Sequence, residues 1–534
     1  MAADSLPARF IATAKRRWSA LAIADSTGRE LTYGRTLIAA LLLARAIRRQ
    51  VPEDTVGLLL PASAGGAIAN VAASLAGKIP VNLNFTAGAE AMAAAVRRCR
   101  IGRIVTSRTF LEKASIAATG DMLFLEDLLR FGPVSKVVVA AAARLLSAPL
   151  LTQLMVPARA PDSVATIIFS SGSTSVPKGV MLTHRNISAN IESVNEAFEL
   201  TAADVMLGVL PFFHSFGFTG TLWFPLLTGF AVVYHPNPTD AKSIGDLSER
   251  YGATLIISTP TFCASYTRKI RREQFAALRY AIVGAEKLRE PIARAFKDKF
   301  GLDLLEGYGC TEMAPIVSVN LPGTDRRGTA RHKPGTVGRP LPRVEARIVD
   351  PEALDHPLPN GEGMLLLKGP NRMLGYLDDP AATAAAFRGE WYVTGDIASI
   401  DGDEFIRITD RLSRFSKIGG EMVPHMRVEE ELQRLLPEPH TCFVTSVPCD
   451  VKGERLVAFF TDPDARAQDL WDRLGESELP KLWIPKRDDM RFVDAIPTLG
   501  TGKIDQRAVR ELALTIPRRA AASAAMPAQP LLSE

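Results

Sequence analysis

Residues 170–179 read Ser-Ser-Gly-Ser-Thr-Ser-Val-Pro-Lys-Gly, directly after the apolar run VATIIF. Six consecutive residues, Ser170, Ser171, Gly172, Ser173, Thr174 and Ser175, are Ser, Thr or Gly. Such small residues let a backbone approach a polyphosphate closely, and their N–H and hydroxyl groups donate to its oxygens. Lys178 adds a cation. This is not a Walker A loop, because Pro177 replaces the second Gly of that motif and Gly179 follows the Lys. Four more stretches follow in order: Gly307-Tyr308-Gly309-Cys310-Thr311-Glu312, Trp391-Tyr392-Val393-Thr394-Gly395-Asp396, Asp410-Arg411-Leu412-Ser413 running on to Gly419-Gly420, and Pro497-Thr498-Leu499-Gly500-Thr501-Gly502-Lys503. Each is weak alone; their order is the stronger signal.

The elements that must position these residues alternate. Short β-rich apolar runs stand at 56–60, 103–106, 164–169, 231–234, 254–258 and 281–283. Helical patterns stand at 36–49, 87–100, 186–198 and 290–300, the last stopping at Gly301, which can take a left-handed C-cap. Alternation of this kind predicts an α/β fold with buried, largely parallel strands. After Thr336 turn signals crowd together, as in Pro359-Asn360-Gly361-Glu362-Gly363 and Asp401-Gly402, and the expected strands at 363–367 and 404–408 are short. That texture predicts a small β subdomain. Past Asp410 the pattern reads helix, strand, strand, helix, strand, which suits a separate α+β domain of about 100 residues. The expected division is 1–409, a hinge at 410–412, a C-terminal domain at 413–516 and an Ala-rich, frayed tail at 517–534.

At 534 residues, about three or four units, or one large and one small, are expected. Hydrophobic residues at 47% and charged residues at 23% are ordinary for a soluble globular protein. The net charge of +5 is small and no basic stripe dominates, so no nucleic-acid partner is expected. Five scattered cysteines, with no Cys-x-x-Cys, argue against a disulfide framework or a zinc site and point to a reducing cytoplasm. The N-terminus lacks the apolar core of a signal peptide. No segment reaches the roughly 20 apolar residues of a membrane span. Residues 145–158, LLSAPLLTQLMVPA, carry no charge, and KVVVAAAARLL precedes them with Lys136 and Arg144 at its ends. This pair reads either as a core helix and connector or as an interfacial hairpin resting on a membrane.

In this order the five stretches resemble the adenylate-forming superfamily of acyl-CoA synthetases, luciferases and peptide-synthetase adenylation domains. The resemblance covers nearly the whole chain, most firmly 164–503. It implies a large, multi-subdomain N-terminal adenylation domain and a small, mobile α+β C-terminal domain. The implied activity is ATP-dependent conversion of a carboxylate to an acyl-adenylate, followed by transfer to a thiol. The resemblance assigns Ser170, Ser171, Gly172, Ser173, Thr174 and Lys178 to the β- and γ-phosphates. Thr311 would contact phosphate and Glu312 would hold Mg²⁺, a hard cation suited to carboxylate and phosphate oxygens. Tyr308 and Gly309 would lie against the adenine, with Gly284, Ala285 and Glu286 lining its other side. Asp396 would bind the ribose diol, joined by Arg411. Lys503 would reach the carboxylate and α-phosphate and stabilise charge developing between them. Asp410 matches a hinge, and Gly419 and Gly420 match the loop lining the thiol tunnel, where a pantetheine arm passes close to backbone.

The stretch Pro211-Phe212-Phe213-His214-Ser215-Phe216-Gly217-Phe218, with Trp223 and Phe224 after it, suits an apolar acyl pocket or plain core packing. The resemblance places His214 near the carboxylate. Longer stretches, among them PFFHSFGFTGTLWFPLLTGF and KFGLDLLEGYGCTEMAPIVSVN, resemble the acyl-acyl carrier protein synthetase part of bacterial 2-acylglycerophosphoethanolamine acyltransferases. That makes a medium- or long-chain fatty acid the expected substrate and acyl carrier protein the expected thiol partner, with CoA as the alternative. A non-catalytic nucleotide-binding protein is the third reading. A separate acyltransferase would complete the lipid chemistry, because His235-Pro236-Asn237-Pro238-Thr239-Asp240 repeats an acyltransferase spacing only by coincidence. Basic runs at 268–272 and 481–487 are candidate docking patches for an acidic carrier. The expected location is cytoplasmic, with candidate peripheral contact at the inner membrane.

Overall fold

A computed structural model describes residues 4–170, 177–325, 328–359, 361–418, 421–437, 440–449, 452–498 and 504–515. The chain folds into two compact units, Met1–Thr409 and Asp410–Glu534, and the division falls inside the strand Ile406–Arg411.

The first unit is built on a nine-stranded sheet. Its centre runs parallel through Leu304–Gly309, Tyr280–Val283, Leu255–Ser258, Val205–Gly208, Ala231–Tyr234 and Leu21–Asp25. Three of these strands, Ala231–Tyr234, Leu255–Ser258 and Tyr280–Val283, are buried along their whole length, the pattern of a sheet covered on both faces. A second, parallel sheet orders Ile79–Asn82, Thr55–Leu58, Ile104–Thr106 and Met122–Phe124. A third joins Val164–Ser170, Lys178–Thr183 and Gly375–Tyr376 in antiparallel register. The expected β subdomain is present as an antiparallel sheet containing Glu345–Val349, Gly363–Lys368 and Trp391–Ile400.

Local chemistry explains where boundaries differ from expectation. The helix expected at 36–49 runs Tyr33–Gln50, because the Thr32 hydroxyl accepts from the Arg35 N–H and caps it earlier. The helix expected at 87–100 is Ala89–Arg98; Gly88 at φ +87° cannot be helical. The helix Glu290–Phe300 ends on Gly301 in the left-handed region. The strand expected at 404–408 begins at Ile406, since Asp401 accepts from the Asp403 and Phe405 N–H groups and holds Glu404 in a turn at φ +66°.

The second unit departs from its expected order. A hairpin, Phe415–Ile418 with Glu421–Pro424, precedes the helix His425–Leu435. Strands Cys442–Cys449 and Gly453–Phe460 follow, then the helix Ala467–Gly475 and the strand Met490–Phe492. A last helix, Gln506–Thr515, buries Val509 and Ala513 beside Phe443, Val447 and Phe459. The strand FSKI is too short to read by alternation alone; its pairing partner defines it.

Candidate functional site

The third sheet positions Lys178. Its hairpin opens at the pair Ser170–Lys178, so the serine-rich run begins where the two strands part. Ser171, Gly172, Ser173 and Thr174 lie outside the described residues, as does the Ser170 side chain. Tyr376 pairs with Val180 in the neighbouring strand. That register brings the Lys178 ammonium to 4.8 Å from the Tyr376 ring centroid, a cation–π contact. Arg98 ties the loop's exit to the same sheet by donating to the Pro177 and Leu377 carbonyls at 2.9 and 3.2 Å.

The strand Leu304–Gly309 changes partner along its length. Residues 304–306 pair in parallel with 281–283, whereas 307–309 pair antiparallel with Ile316–Val319, with a bulge between Tyr308 and Gly309. A Cβ on Gly309 would stand 2.2 Å from the Pro315 carbonyl oxygen, so glycine is required there. The chain then turns through Thr311–Met313. Thr311 Oγ1 lies 3.1 Å from Ser215 Oγ. Glu312 is buried, and its Oε1 accepts a hydrogen bond from the Tyr376 hydroxyl at 2.9 Å. The Met373 N–H also donates to the Glu312 carbonyl at 2.7 Å. Burial first and the Glu312 charge second push the Tyr376 phenol up, keeping it a donor. Lys178, Tyr376, Glu312, Thr311 and Ser215 are thus drawn into one neighbourhood, with His214 adjoining Ser215 in the chain.

A second group forms on the other side of the same strand. Gly284, Ala285 and Glu286 follow Tyr280–Val283. A Cβ on Gly284 would meet the Gly307 carbonyl at 3.3 Å and the Phe216 ring at 3.4 Å. Ala285 adopts φ +70°, and Glu286 accepts from the Thr261 hydroxyl at 2.6 Å. The Tyr308 hydroxyl donates to Asp396 Oδ2, and Asp396 is buried. Its own N–H donates to Thr394 Oγ1 at 3.0 Å, next to Gly395 at φ +77°.

Glu306 was not singled out by its sequence. It is buried, accepts from the Leu288 N–H at 2.9 Å, and is pushed up to about 7 by burial. Its carbonyl also accepts from the Asn320 N–H at 3.0 Å. The available signal was a carboxylate at the end of an apolar strand, immediately before Gly-Tyr-Gly.

The aromatic stretch is first of all core. Phe212, Phe213, Phe218, Trp223 and Phe224 are buried, while His214 and Phe216 are half-buried. Phe216–Trp223 is a π-helix, a form common at functional sites. Gly217 is needed in it because a Cβ would lie 2.1 Å from the Pro211 carbonyl oxygen. His214 packs on Phe213, Phe213 on Phe85 and Phe85 on Phe110, with centroids 4.8, 5.2 and 5.0 Å apart. His235 and Asp240 do meet, at 3.3 Å. Asp240, however, caps the helix Ala241–Tyr251 through the Ser243 N–H, and burial lowers the His235 pKa.

In the second unit the Asp410 carboxylate is fully buried and accepts from the Met426 N–H at 2.9 Å, satisfying one donor in the first turn of the helix His425–Leu435. Arg411 is exposed. Gly419, Gly420 and Lys503 lie outside the described residues. Among the described residues no three His, Cys, Asp or Glu side chains gather as a metal site. Glu312 instead offers one carboxylate near the Thr311 hydroxyl. That donor set fits Mg²⁺, which commonly takes one or two carboxylates and completes its shell with phosphate and water oxygens.

Residues 10–377 match the sequence profile of the AMP-binding enzymes. A feruloyl-CoA synthase of an Amycolatopsis species is 33% identical over 355 residues, 65% of this chain and 70% of that protein. A long-chain-fatty-acid–CoA ligase of Escherichia coli is 30% identical over 371 residues, 67% of this chain and 63% of that protein. The crystal structure of ATP-bound MatB from Rhodopseudomonas palustris superposes with a TM-score of 0.80 at 26% identity, covering 95% of this chain and 98% of that one. The o-succinylbenzoate CoA synthetase of Bacillus subtilis, in complex with its acyl-adenylate, shares the fold at a TM-score of 0.80 and 23% identity, covering 94% and 97%. The mixed α/β fold expected from the sequence, with a large N-terminal and a smaller C-terminal domain, is the fold found.

Proposed function

The chain belongs to the AMP-binding enzyme family, and on that premise we propose that it loads a medium- or long-chain fatty acid onto the phosphopantetheine thiol of acyl carrier protein. It is an ATP-dependent, AMP-forming acid–thiol ligase. In the first half-reaction a carboxylate oxygen attacks the α-phosphorus and pyrophosphate leaves. In the second the thiol sulfur attacks the acyl carbonyl carbon and AMP leaves.

The observation that carries this reading is the convergence of Lys178, Tyr376, Glu312 and Thr311. A cation, a carboxylate and a hydroxyl brought together at the mouth of a Ser/Thr/Gly loop suit a polyphosphate with its counter-ion. Ser170, Ser171, Gly172, Ser173, Thr174 and Lys178 bind the β- and γ-phosphates. Thr311 donates to phosphate and Glu312 would hold Mg²⁺, which when bound neutralises phosphate charge. Tyr308 and Gly309 face the adenine, with Gly284, Ala285 and Glu286 opposite, and Asp396 with Arg411 binds the ribose hydroxyls. His214 orients the acid carboxylate. Lys503 stabilises the charge that develops between carboxylate and α-phosphate. Residues 410–412 act as the hinge on which the C-terminal domain turns, and Gly419 and Gly420 line the thiol path.

A fatty acid is favoured by the aromatic side chains packed outward from His214, since each methylene buried there contributes about 0.8 kcal/mol. An acyl carrier protein is favoured by the exposed cations Arg268, Lys269, Arg271 and Arg272 on the first unit and Lys481, Lys486 and Arg487 on the second, which complement an acidic carrier. CoA is the second reading, and the CoA ligases among the relatives favour it. A separate acyltransferase consuming the thioester, and peripheral contact with a membrane, belong to the same proposal.

The test is thioester formation with ATP, Mg²⁺ and a labelled panel of medium- and long-chain fatty acids, offering holo-acyl carrier protein and CoA separately. Faster transfer to the carrier is the expected result. Faster transfer to CoA replaces the first reading with the second. Absence of pyrophosphate release with every fatty acid, but release with an aromatic acid, overturns the acid class.

A further inference from the structure

We propose that the helical pair Pro133–Leu145 and Ala148–Met155 is a docking face for an anionic phospholipid surface. The two helices lie on the first unit with only a narrow inner face buried. Val139 and Ala143 pack toward the helix Tyr33–Gln50, and Leu151 and Thr152 toward the helix Leu6–Arg16. On Pro133–Leu145, the residues Val134, Val137, Val138, Ala141 and Leu145 fall at helical spacing on one stripe, opposite Val139 and Ala143. That stripe points outward. Its large side chains, together with Leu150 and Leu154 of the next helix, are between 42% and 80% exposed. Seven of the thirteen exposed large hydrophobics among the described residues fall between Leu129 and Leu154. Elsewhere such side chains are scattered singly, which needs no explanation; a contiguous ridge does.

Charge selects the occupant. Residues 128–161 contain no Asp or Glu, whereas Arg130, Lys136, Arg144 and Arg159 fall within them. Arg130 is 3.4 Å from Asp127 and Arg159 is 3.4 Å from Asp54, which leaves Lys136 near the start of the first helix and Arg144 near its end. Arg144 and Lys15 both sit over the Trp18 ring, at 5.3 and 5.6 Å, and Lys15 donates to the carbonyls of Ala143 and Arg144 at 2.8 Å. An apolar stripe with cations at its ends and a tryptophan at its edge is the composition that seats a helix in a headgroup layer. A second copy of the chain fits less well. A two-fold contact would bring these cations together with no carboxylate of the segment between them. The six large exposed side chains of the ridge also fall well short of the roughly 20–30 residues a side of a stable protein interface. Among the described residues no helix is long and apolar enough to cross a membrane, so the contact is superficial.

This face gives the membrane contact of the reading above a place in the chain. The binding test needs neither ATP nor acid, so it stands or falls apart from the ligase chemistry. The full chain is floated with phosphatidylcholine vesicles, with and without phosphatidylglycerol. The expected result is flotation with the anionic vesicles, at least about tenfold weaker for the Val137→Ser/Val138→Ser double variant from the lost burial of two side chains. Lys136→Glu should reduce the preference for phosphatidylglycerol while leaving pyrophosphate release with a short soluble acid unchanged. That activity also reports that each variant is folded. Equal flotation of the native chain and the double variant, or none for the native chain, overturns the proposal. A concentration-dependent dimer in lipid-free sedimentation, broken by the same double variant, would assign the face to a second copy instead.

Discussion

The Tyr376 hydroxyl donates to the Glu312 carboxylate at 2.9 Å, while the face of the same ring receives the Lys178 ammonium at 4.8 Å. One side chain therefore sets both a cation and a carboxylate through two different parts of its structure. The hydroxyl orients Glu312, and the ring's electron-rich face holds Lys178 beside the loop. Tyr376→Phe separates the two roles because it keeps the ring. The expected outcome is a roughly tenfold loss in adenylation, the scale of a lost hydrogen bond to a charged group. A higher Mg²⁺ requirement should accompany it, read by titrating Mg²⁺ in a pyrophosphate-release assay. An unchanged Mg²⁺ dependence would separate Tyr376 from the work of Glu312.

Under the proposed function, Lys503 stabilises the developing charge of the first half-reaction. Lys503→Ala should slow adenylate formation by about 10²–10³. ATP affinity, measured by equilibrium binding, should stay near the native value. A loss of affinity matching the loss of rate would make Lys503 a ground-state ligand for ATP.

Gly420→Leu tests the thiol path. The variant should form acyl-adenylate at the native rate in the absence of thiol and fail to form thioester. Single-turnover measurement of the two half-reactions distinguishes this from a general defect, in which both rates fall together.

Asp396 is buried and takes a hydrogen bond from Tyr308. Asp396→Asn keeps the size but removes the charge that favours a diol donor. KM for ATP should rise about tenfold, in line with about 1.5 kcal/mol for a charge-assisted hydrogen bond. The same substrate series with 2′-deoxy-ATP should show a smaller difference between native and variant. Equal differences would place the diol elsewhere.

Glu306 gives a pH dependence with a defined sign. Burial raises its carboxyl from 4.5 to about 7, so the folded chain holds the proton more tightly than the unfolded chain. The stability from that proton is fully present below pH 4.5 and is lost as the pH rises through about 7. Glu306→Gln keeps an acceptor for the Leu288 N–H and cannot titrate. Relative to the variant, the native chain should lose up to about 3 kcal/mol over this window. Thermal midpoints of the two chains measured across the window should diverge steadily. Parallel curves would mean that Glu306 is ionised throughout.

Local spacing in the sequence determined much of this protein. The run from Ser170 to Lys178, the Gly307–Glu312 motif and the alternation of buried strands with capped helices are short-range patterns. A run of small residues or a 3.6-residue period declares itself within one window. Several helices and strands accordingly stand where the sequence places them, to within a few residues. Tertiary structure alone decided which side chains meet. Tyr376 and Glu312 are 64 residues apart and Tyr308 and Asp396 are 88 apart. Each pair depends on sheet order and strand register, where a slip of one residue turns every side chain to the opposite face. Burial was equally hidden: it sends Phe212, Phe213 and Phe218 into the core and raises Glu306, yet leaves Val134, Val137 and Val138 outside. A hydrophobic period identifies a helix's apolar stripe, but whether another element covers that stripe is a property of the whole fold.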